Sequence, residues 1–209
     1  MNFADYSKGA STNINHRPNI LFYETGAANV PSLYTNTYVP GALADHLTSG
    51  GGDLFGSTAV DYGQMSILRW LEAGVTASYG TVTEPCARPQ KFPQASVLVK
   101  NYFLGNTAVE AYLKSVQWPS QGVFVGDPLA RPFGTKATLI HGTLNVTTTS
   151  LDPGVTYALY SAPSSTGPFT QVATVSVPNY QFVTINAAGM SAPFYKLEDI
   201  KAPKRELAR

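Results

Sequence analysis

The sequence predicts two domains in series, an α/β domain over residues 15–132 and an all-β sandwich over residues 133–200. Two observations predict this division. Up to Pro132, strand-like apolar runs alternate with segments of helical periodicity, which is typical of a mostly parallel sheet with covering helices. From Thr135 the periodicity changes to that of strands, and short runs of β-branched and aromatic residues follow one another. The length of 209 residues fits one medium domain and one small module.

The α/β domain begins with a strand that is predicted to be buried on both faces. Asn19–Tyr23 is a mostly apolar run that ends at turn residues 24–26. Residues 30–39 predict a loop. Pro40 then predicts the start of a short helix over residues 41–47, because proline at the first helical position costs no intrahelical hydrogen bond.

The clearest helix signal follows. Met65, Leu68 and Leu71 recur on one face of a helix over residues 64–73, and Gly74 stands where a helix C-cap belongs. A strand, two helices and a further strand complete the domain, and the second of these helices starts at a capping box of Thr107 and Glu110. These four elements are predicted over residues 75–82, 95–104, 107–116 and 122–125.

The second domain is predicted from short strands that are separated by turns. The strands are rich in Thr, Val and aromatic residues, and the gaps contain Pro, Gly, Asn or Asp. No histidine or carboxylate cluster with catalytic spacing occurs there. Modules of this kind usually support or space other domains, or bind a partner. The predicted strands are residues 143–149, 156–161, 170–177, 181–186 and 194–197.

Charge argues against nucleic-acid binding, and hydropathy argues against a membrane span. The formal net charge is +1 and 13% of the residues are charged, so the chain has no field that would attract nucleic acid. The basic residues that do cluster lie in a tail over residues 201–209. No apolar run approaches the ~20 residues of a membrane span. We therefore expect no nucleic-acid binding and no membrane span.

Composition also bears on location. Ser, Thr, Asn, Gly and Tyr are abundant, and a neutral polar surface of this kind favours a secreted or cell-envelope protein. No signal peptide is visible, since residues 1–14 are mostly polar and are predicted to form a disordered lead.

Five stretches of the first domain together carry a resemblance. They are Val39–Ser49, Trp70–Gly74, Ala77–Cys86, Glu110–Tyr112 and Gly122–Ala130. In order and spacing they resemble an uncharacterised bacterial protein family whose domain is similar to the gingipain-type, caspase-like cysteine peptidases. The resemblance implies a caspase-like half domain that lacks its N-terminal half. It is followed here by a sandwich of fibronectin-like or immunoglobulin-like kind.

The sequence departs from the peptidase pattern at the catalytic dyad. A gingipain-type enzyme is expected to carry a histidine after one strand and a cysteine after the next, so that the imidazole can take the proton of the thiol. The segment where that cysteine would fall is Leu47–Asp53, which contains none, and Cys86 follows the next predicted strand instead. The resemblance therefore implies a fold in which the peptidase dyad is absent.

One pairing of a thiol with an imidazole is nevertheless available in the first domain. Cys86, the single cysteine, could act as a nucleophile with His46 as its base and Asp45 and Glu84 as neighbouring carboxylates. The alternative is a structural thiol in a buried or loop position. Asp45 and His46 are adjacent in the predicted helix, so one of the two is expected to face solvent.

A group of carboxylates predicts a calcium site. Asp53, Asp61 and Asp127, together with Asp45 and Glu84, stand at predicted element ends or in loops, and all are expected at one edge of the sheet. Carboxylate oxygens are ligands that Ca²⁺ prefers, so these residues could hold the ion. A bound Ca²⁺ could polarise an ester or lactone carbonyl and orient a water for attack. The alternative is structural: Asp53 and Asp61 cap turns, and Asp127 forms an Asx-turn.

Aromatic residues near the strand ends indicate a possible ligand surface. Open α/β sheets bind ligands at the carboxyl ends of their strands, and tyrosines there could stack on a sugar or a peptide. The alternative is half-buried packing with a hydrated hydroxyl group. Trp70 is predicted to lie in the core and Trp118 to be exposed. The tyrosines concerned are Tyr23, Tyr34, Tyr38, Tyr62 and Tyr79.

The sequence thus supports two functional hypotheses. One is a hydrolase of small ester, lactone or peptide bonds, acting on a small molecule or a peptide. The other is a non-catalytic binding protein that presents a degenerate peptidase-like domain and a sandwich to a glycan or a protein. The two differ in whether Asp45, His46, Glu84 and Cys86 converge within hydrogen-bond reach.

Overall fold

The computed structural model describes residues 14–54, 63–82 and 88–200. The chain forms two compact units, Met1–Pro132 and Phe133–Arg209. The described part of the first unit combines a sheet with helices, and that of the second consists of strands in two sheets. The protein is therefore of mixed α/β content, with an all-β second unit in the part that is described.

The first unit is built on a four-stranded sheet. Its strands β1, β2 and β3 run parallel, whereas β4 runs antiparallel to β3. The carboxyl ends of the three parallel strands therefore meet at one edge of the sheet, which is named the carboxyl edge below. In the order of the sheet, the strands are β1 (Ile20–Thr25), β2 (Tyr38–His46), β3 (Ala77–Thr81) and β4 (Gly122–Gly126).

Helices α1 (Leu68–Glu72), α2 (Ala95–Phe103) and α3 (Ala108–Ser115) pack on this sheet. The predicted capping box of α3 is confirmed. The Thr107 hydroxyl accepts a hydrogen bond from the Glu110 amide, and the Glu110 carboxylate accepts one from the Thr107 amide.

The direction of β4 departs from the predicted parallel sheet for a topological reason. The chain leaves β3 at the carboxyl edge and passes through α2 and α3, which pack against each other. A pair of antiparallel helices returns the chain to the edge from which it started. β4 therefore begins at the carboxyl edge, with Gly122 opposite Thr81 and Gly126 opposite Ala77.

The helix predicted over residues 41–47 is wrong, because residues 41–46 belong to β2. The register of β2 against β1 is irregular between Tyr38 and Leu43, and Pro40 lies within this irregularity. A bulge tolerates a residue that has no amide hydrogen to donate, so the proline does not interrupt the strand. The rest of the segment is buried, and a short buried run has the same pattern in a helix and in a strand.

Helix α1 is shorter than the helix predicted over residues 64–73. The amides of Met65 and Ile67 donate to the carbonyls of Ala28 and Gly51, at 2.8 and 2.9 Å. These bonds to distant segments take the place of intrahelical bonds, so the helix begins only at Leu68.

Glycine allows the loop after β2 to lie directly on β3. The Gly52 amide donates to the Thr81 carbonyl at 2.9 Å. A Cβ atom at Gly80 would lie 2.5 Å from the Gly52 nitrogen and 2.7 Å from a methyl carbon of Ile67. Close approach of two backbones is therefore possible only without a side chain at this position.

We expect Gly80→Ala to lower the free energy of unfolding by about 2–3 kcal/mol, because the added methyl group overpacks this contact. Urea denaturation of the full chain measures the change. Gly26→Ala is a matched control, since nothing lies within 4 Å of a Cβ atom at Gly26, and it should change stability by less than about 0.5 kcal/mol. Equal effects of the two substitutions would contradict the proposed contact.

The second unit contains two three-stranded antiparallel sheets. Leu144 and Ile185 from one sheet and Leu159 from the other belong to one hydrophobic core. The five predicted strands are found with small shifts at their ends, and one further strand, β5, precedes them. The strands are β5 (Lys136–Ile140), β6 (Thr143–Thr148) and β9 (Val183–Ala187) in one sheet, and β7 (Thr156–Ala162), β8 (Thr170–Ser176) and β10 (Phe194–Asp199) in the other.

Candidate functional site

The two described members of the predicted catalytic group lie at the carboxyl edge. Asp45 and His46 are the last residues of β2, and 0% and 1% of their surface is exposed. Successive side chains of a strand point to opposite faces of the sheet. The two side chains therefore do not converge, and the expectation that one of them faces solvent is wrong.

His46 is held on the α1 side of the sheet by two hydrogen bonds. The Trp70 indole N–H donates to Nδ1 at 3.0 Å, which places the imidazole proton on Nε2. Nε2 donates to the Met65 carbonyl at 2.5 Å. Burial lowers the pKa of His46 to about 4, and the bond to Met65 opposes this effect. The imidazole is therefore neutral at pH 7, and neither nitrogen is free to act as a base.

Asp45 is held on the opposite side by donors from β3 and α3. Its carboxylate accepts hydrogen bonds from the Tyr79 amide at 2.8 Å, the Tyr112 hydroxyl at 3.0 Å and the Ser78 hydroxyl at 3.3 Å. Burial raises the pKa of Asp45 to about 7, although the bonds from Tyr79 and Tyr112 lower it. Asp45 thus ties β2 to β3 and α3, which is a structural role.

Glu24 is a carboxyl group at this edge that was predicted to lie in a turn. It lies instead in β1, where it pairs with Asp45 across the parallel ladder. Its Oε2 atom is buried, and no hydrogen-bond donor among the described residues reaches it. Burial raises the pKa of Glu24 to about 7, and the negative charge of Glu24 contributes to the raised pKa of Asp45. The sequence signal for this buried position was an acidic residue that directly follows the apolar run of the predicted strand.

The aspartates proposed for calcium do not gather at one place. Asp53 follows Gly52, whose amide bonds to Thr81 at the carboxyl end of β3. The Asp127 amide bonds to the carbonyl of Thr76, just before the start of β3. The two aspartates therefore lie at opposite ends of β3, roughly 15 Å apart. The antiparallel direction of β4 causes this separation, because it carries Asp127 away from the carboxyl edge.

Asp127 has the structural role that was the alternative to calcium binding. Its Oδ1 atom accepts a hydrogen bond from the Leu129 amide at 2.9 Å, which forms an Asx-turn. Within residues 14–54, 63–82 and 88–200, no group of three or more His, Cys, Asp or Glu side chains could hold a metal ion. Asp61, Glu84 and Cys86 lie outside the described residues, so their assigned roles stay predictions.

A cavity of about 340 Å³ lies beside α1, near the carboxyl edge. Its walls come from the segment that follows β1 and the segment that leads into α1. Val30, Leu33 and Met65 are buried and form an apolar floor, whereas polar residues stand at the rim. The volume is at the lower end of the range of small-molecule sites, ~300–1,000 Å³, and the site is open to solvent rather than enclosed. The lining consists of Asn29, Val30, Pro31, Leu33, Tyr34, Gln64, Met65, Ser66 and Arg69.

Hydrogen bonds from the carboxyl edge hold one wall of this cavity. His46 donates to the Met65 carbonyl, and the Met65 amide donates to the Ala28 carbonyl at 2.8 Å. The Gln64 side chain accepts a hydrogen bond from the Gly50 amide at 2.6 Å. The buried histidine that was predicted to be catalytic therefore positions the backbone of a cavity wall.

The rim of the cavity presents an aromatic ring and a neutralised cation. Tyr34 is 55% exposed, and its hydroxyl donates to Glu72 at 2.8 Å. Arg69 forms an ion pair with the same carboxylate at 2.6 Å. Since Glu72 balances the charge of Arg69, the described residues of the rim carry no net charge. More than half of the Tyr34 surface is exposed to solvent.

The aromatic residues that were predicted near the strand ends divide into packing and exposed groups. Tyr23 and Tyr79 are buried, and the Tyr23 ring meets the Trp70 ring edge-on at 5.2 Å. Trp70 is fully buried and Trp118 is 40% exposed, so both predictions for the tryptophans are confirmed. Tyr62 lies outside the described residues.

Comparison of the chain with protein-family profiles, curated proteins and solved structures finds no match. The resemblance to gingipain-type peptidases therefore stays a prediction. Among the helices of the described segments, none has the length and apolar character needed to cross a membrane. Fold and site together define a protein with a mixed α/β unit, a cavity near the carboxyl edge of its sheet and a second unit of two β-sheets.

Proposed function

We propose that the protein is a non-catalytic binding protein, and that its α/β unit binds a sugar in the cavity beside α1. One contrast at the carboxyl edge carries this proposal. Asp45 and His46 are sealed from solvent with their polar atoms engaged. The neighbouring cavity, in contrast, is lined mainly by apolar and uncharged polar groups, its one charged residue among the described lining, Arg69, is paired with Glu72, and it exposes Tyr34.

The chemistry of the lining fits a neutral polyhydroxyl ligand. A sugar ring has an apolar face of C–H groups, which an exposed aromatic ring such as Tyr34 can cover. Its hydroxyl groups need short polar partners, which Asn29, Gln64 and Ser66 supply at the rim. A neutral ligand also requires no compensating charge, in agreement with the paired state of Arg69.

The hydrolase hypothesis has less support. Acid–base catalysis at this edge requires a base within reach of substrate, and the buried His46 imidazole already has a partner on each nitrogen. A thiol mechanism would depend on Cys86, which lies outside the described residues. Turnover of ester or peptide substrates that disappears in Cys86→Ala would favour this rival over sugar binding.

The binding proposal predicts that Tyr34 dominates affinity. A glycan array of the full chain should first identify a retained sugar, and calorimetric titration should then compare variants. We expect Tyr34→Ala to weaken binding about tenfold, which corresponds to ~1.4 kcal/mol. Tyr34→Phe should bind nearly as well as the parent chain, since it keeps the ring and loses only the hydroxyl bond to Glu72.

Tyr180→Ala is the matched control for this measurement. Tyr180 is 61% exposed and is not among the residues that line the cavity, so its removal should leave sugar affinity unchanged. The proposal fails if the array retains no glycan, or if the alanine variants of Tyr34 and Tyr180 lose affinity equally.

A further inference from the structure

Strand β5 ends one sheet of the second unit and has a strand partner on one side only. The order of this sheet is β5-β6-β9, and β5 pairs with β6. All five residues of β5, Lys136–Ile140, are exposed. Within the described residues, the outer edge of β5 therefore offers backbone groups that no other strand uses.

Each face of β5 carries an exposed apolar side chain, and the outer face also carries Lys136 and Thr138. Ala137 and Leu139 lie opposite Val146 and Leu144, which pack in or against the core, so they belong to the inner face of the sheet. Leu139 nevertheless stays 47% exposed, because nothing in the described structure covers it fully. Ile140 points to the outer face and is 55% exposed. Pairing with a further strand would remove part of this apolar surface from water.

The features that normally protect an edge strand are sparse in β5. Natural edge strands are protected by shortness, charged side chains, prolines, bulges or a covering segment. β5 contains no proline, its register against β6 is regular, and its one charged residue, Lys136, stands at its first position. The middle of the strand is therefore open to pairing.

The turn after β5 identifies the free backbone groups. His141 and Gly142 both have positive φ, +46° and +73°, as in a two-residue type I′ hairpin turn. Such a turn closes on a hydrogen-bonded pair, here Ile140 and Thr143. Hydrogen-bonded and non-hydrogen-bonded pairs alternate along an antiparallel ladder. The amide and carbonyl groups of Ala137 and Leu139 therefore point toward the open edge.

We propose that β5 pairs antiparallel with β5 of a second copy of this chain, about a two-fold axis at Thr138. This register places Ala137 opposite Leu139 of the partner subunit, so that the free amide and carbonyl groups bond reciprocally. The small side chain then meets the large one, and the two threonines form a cross-strand pair, which is favourable. The two copies of Lys136 do not meet, because each lies opposite Ile140 of the partner subunit.

Because β5 is compatible with antiparallel pairing to an identical strand, a second copy of this chain is the partner that fits its open edge. A two-fold contact must be self-complementary, and the register about Thr138 pairs a small side chain with a large one, pairs threonine with threonine and keeps the two Lys136 side chains apart. The contact is small, below the ~1,200 Å² of stable interfaces, so the dimer is weak and forms at high protein concentration.

Disulfide trapping of the full chain tests the register, with Cys86→Ser as background so that the introduced thiol is single. Thr138 pairs with itself at a non-hydrogen-bonded site, where Cα atoms are ~4.5 Å apart, within reach of a disulfide. Thr138→Cys should therefore give at least tenfold more covalent dimer than Lys136→Cys. In this register, the two copies of residue 136 stand roughly 13 Å apart, too far for a bond.

Sedimentation analysis of the chain without introduced cysteines gives an independent readout. Ala137→Pro removes an outward amide that β6 does not use, so it should keep the fold and abolish concentration-dependent dimerisation. Ala137→Ser keeps that amide and should dimerise like the parent chain. Equal trapping of the two cysteine variants, trapping of neither, or equal dimerisation of Ala137→Pro and Ala137→Ser would overturn the proposal.

Discussion

Trp70→Ala is expected to lower the free energy of unfolding by about 3–5 kcal/mol, the usual cost of deleting a large buried aromatic side chain. Trp70 is fully buried and packs edge-on against Tyr23 and Tyr38, with ring centroids at 5.2 and 6.5 Å. Its indole also supplies the hydrogen bond to Nδ1 of His46. The substitution therefore leaves a cavity and a buried acceptor without its donor, and chemical denaturation measures the loss.

Two further variants separate these contributions. Trp70→Phe keeps most of the ring volume and removes the donor, so it should cost less than the alanine variant. Trp118→Ala is the control, because Trp118 is 40% exposed and its loss should cost less than about 1 kcal/mol. A similar cost for the alanine variants of Trp70 and Trp118 would show that the core is not organised around Trp70.

The contribution of Asp45 to stability is expected to fall as the pH rises from about 4 to about 7. Burial raises the pKa of Asp45 from 3.8 to about 7 in the native state. In the interval between these values the native state holds a proton that the unfolded chain has lost. Unfolding free energy therefore decreases with increasing pH and levels off above the native pKa. A displacement of this size corresponds to roughly 4 kcal/mol.

Asp45→Asn tests this prediction, since the amide resembles the protonated carboxyl group and does not titrate. Near pH 4, the free energy of unfolding of the parent chain should be at least as large as that of the variant. By pH 8 it should have decreased relative to that of the variant, as measured by denaturation at each pH. A stability difference that does not change with pH would mean that Asp45 is ionised throughout.

The comparison with Asp45→Asn also removes the contribution of His46 to the pH dependence of stability, which has the opposite sign to that of Asp45. The pKa of His46 is lowered to about 4, so below its usual value of 6.5 the unfolded chain binds a proton that the native state does not. This residue therefore makes stability rise with pH over the acidic range. Because both proteins contain His46, its contribution cancels in their difference. Glu24→Gln, beside Asp45 in the sheet, should reproduce part of the effect of Asp45→Asn.

Local signals in the sequence correctly predicted several elements. The capping box at Thr107 and Glu110 marks the start of α3, and the turns between Thr-rich runs mark most strands of the second unit. These signals depend on neighbours in the chain, so they can be recognised without a structure. The burial of Trp70 and the exposure of Trp118 followed from the same kind of local context.

The candidate site was predicted less well, because its residues are set by contacts between distant segments. Glu24 became a buried neighbour of Asp45 only through the pairing of β1 with β2. Tyr34 was recognised as a possible stacking residue, but the cavity beside it depends on how residues 64–66 are held by Gly50 and Ala28. No sequence pattern in the segments that these bonds connect predicts them.

The sequence by itself determined the two-part character of this protein, its low charge and the elements that have local start and stop signals. Tertiary structure alone decided that Pro40 lies within a strand, that β4 runs antiparallel, and that Asp45 and His46 point to opposite faces. The physical reason is that strand pairing and direction depend on hydrogen bonds between residues far apart in the chain. Whether a polar side chain is catalytic or structural depends on which of those bonds it makes.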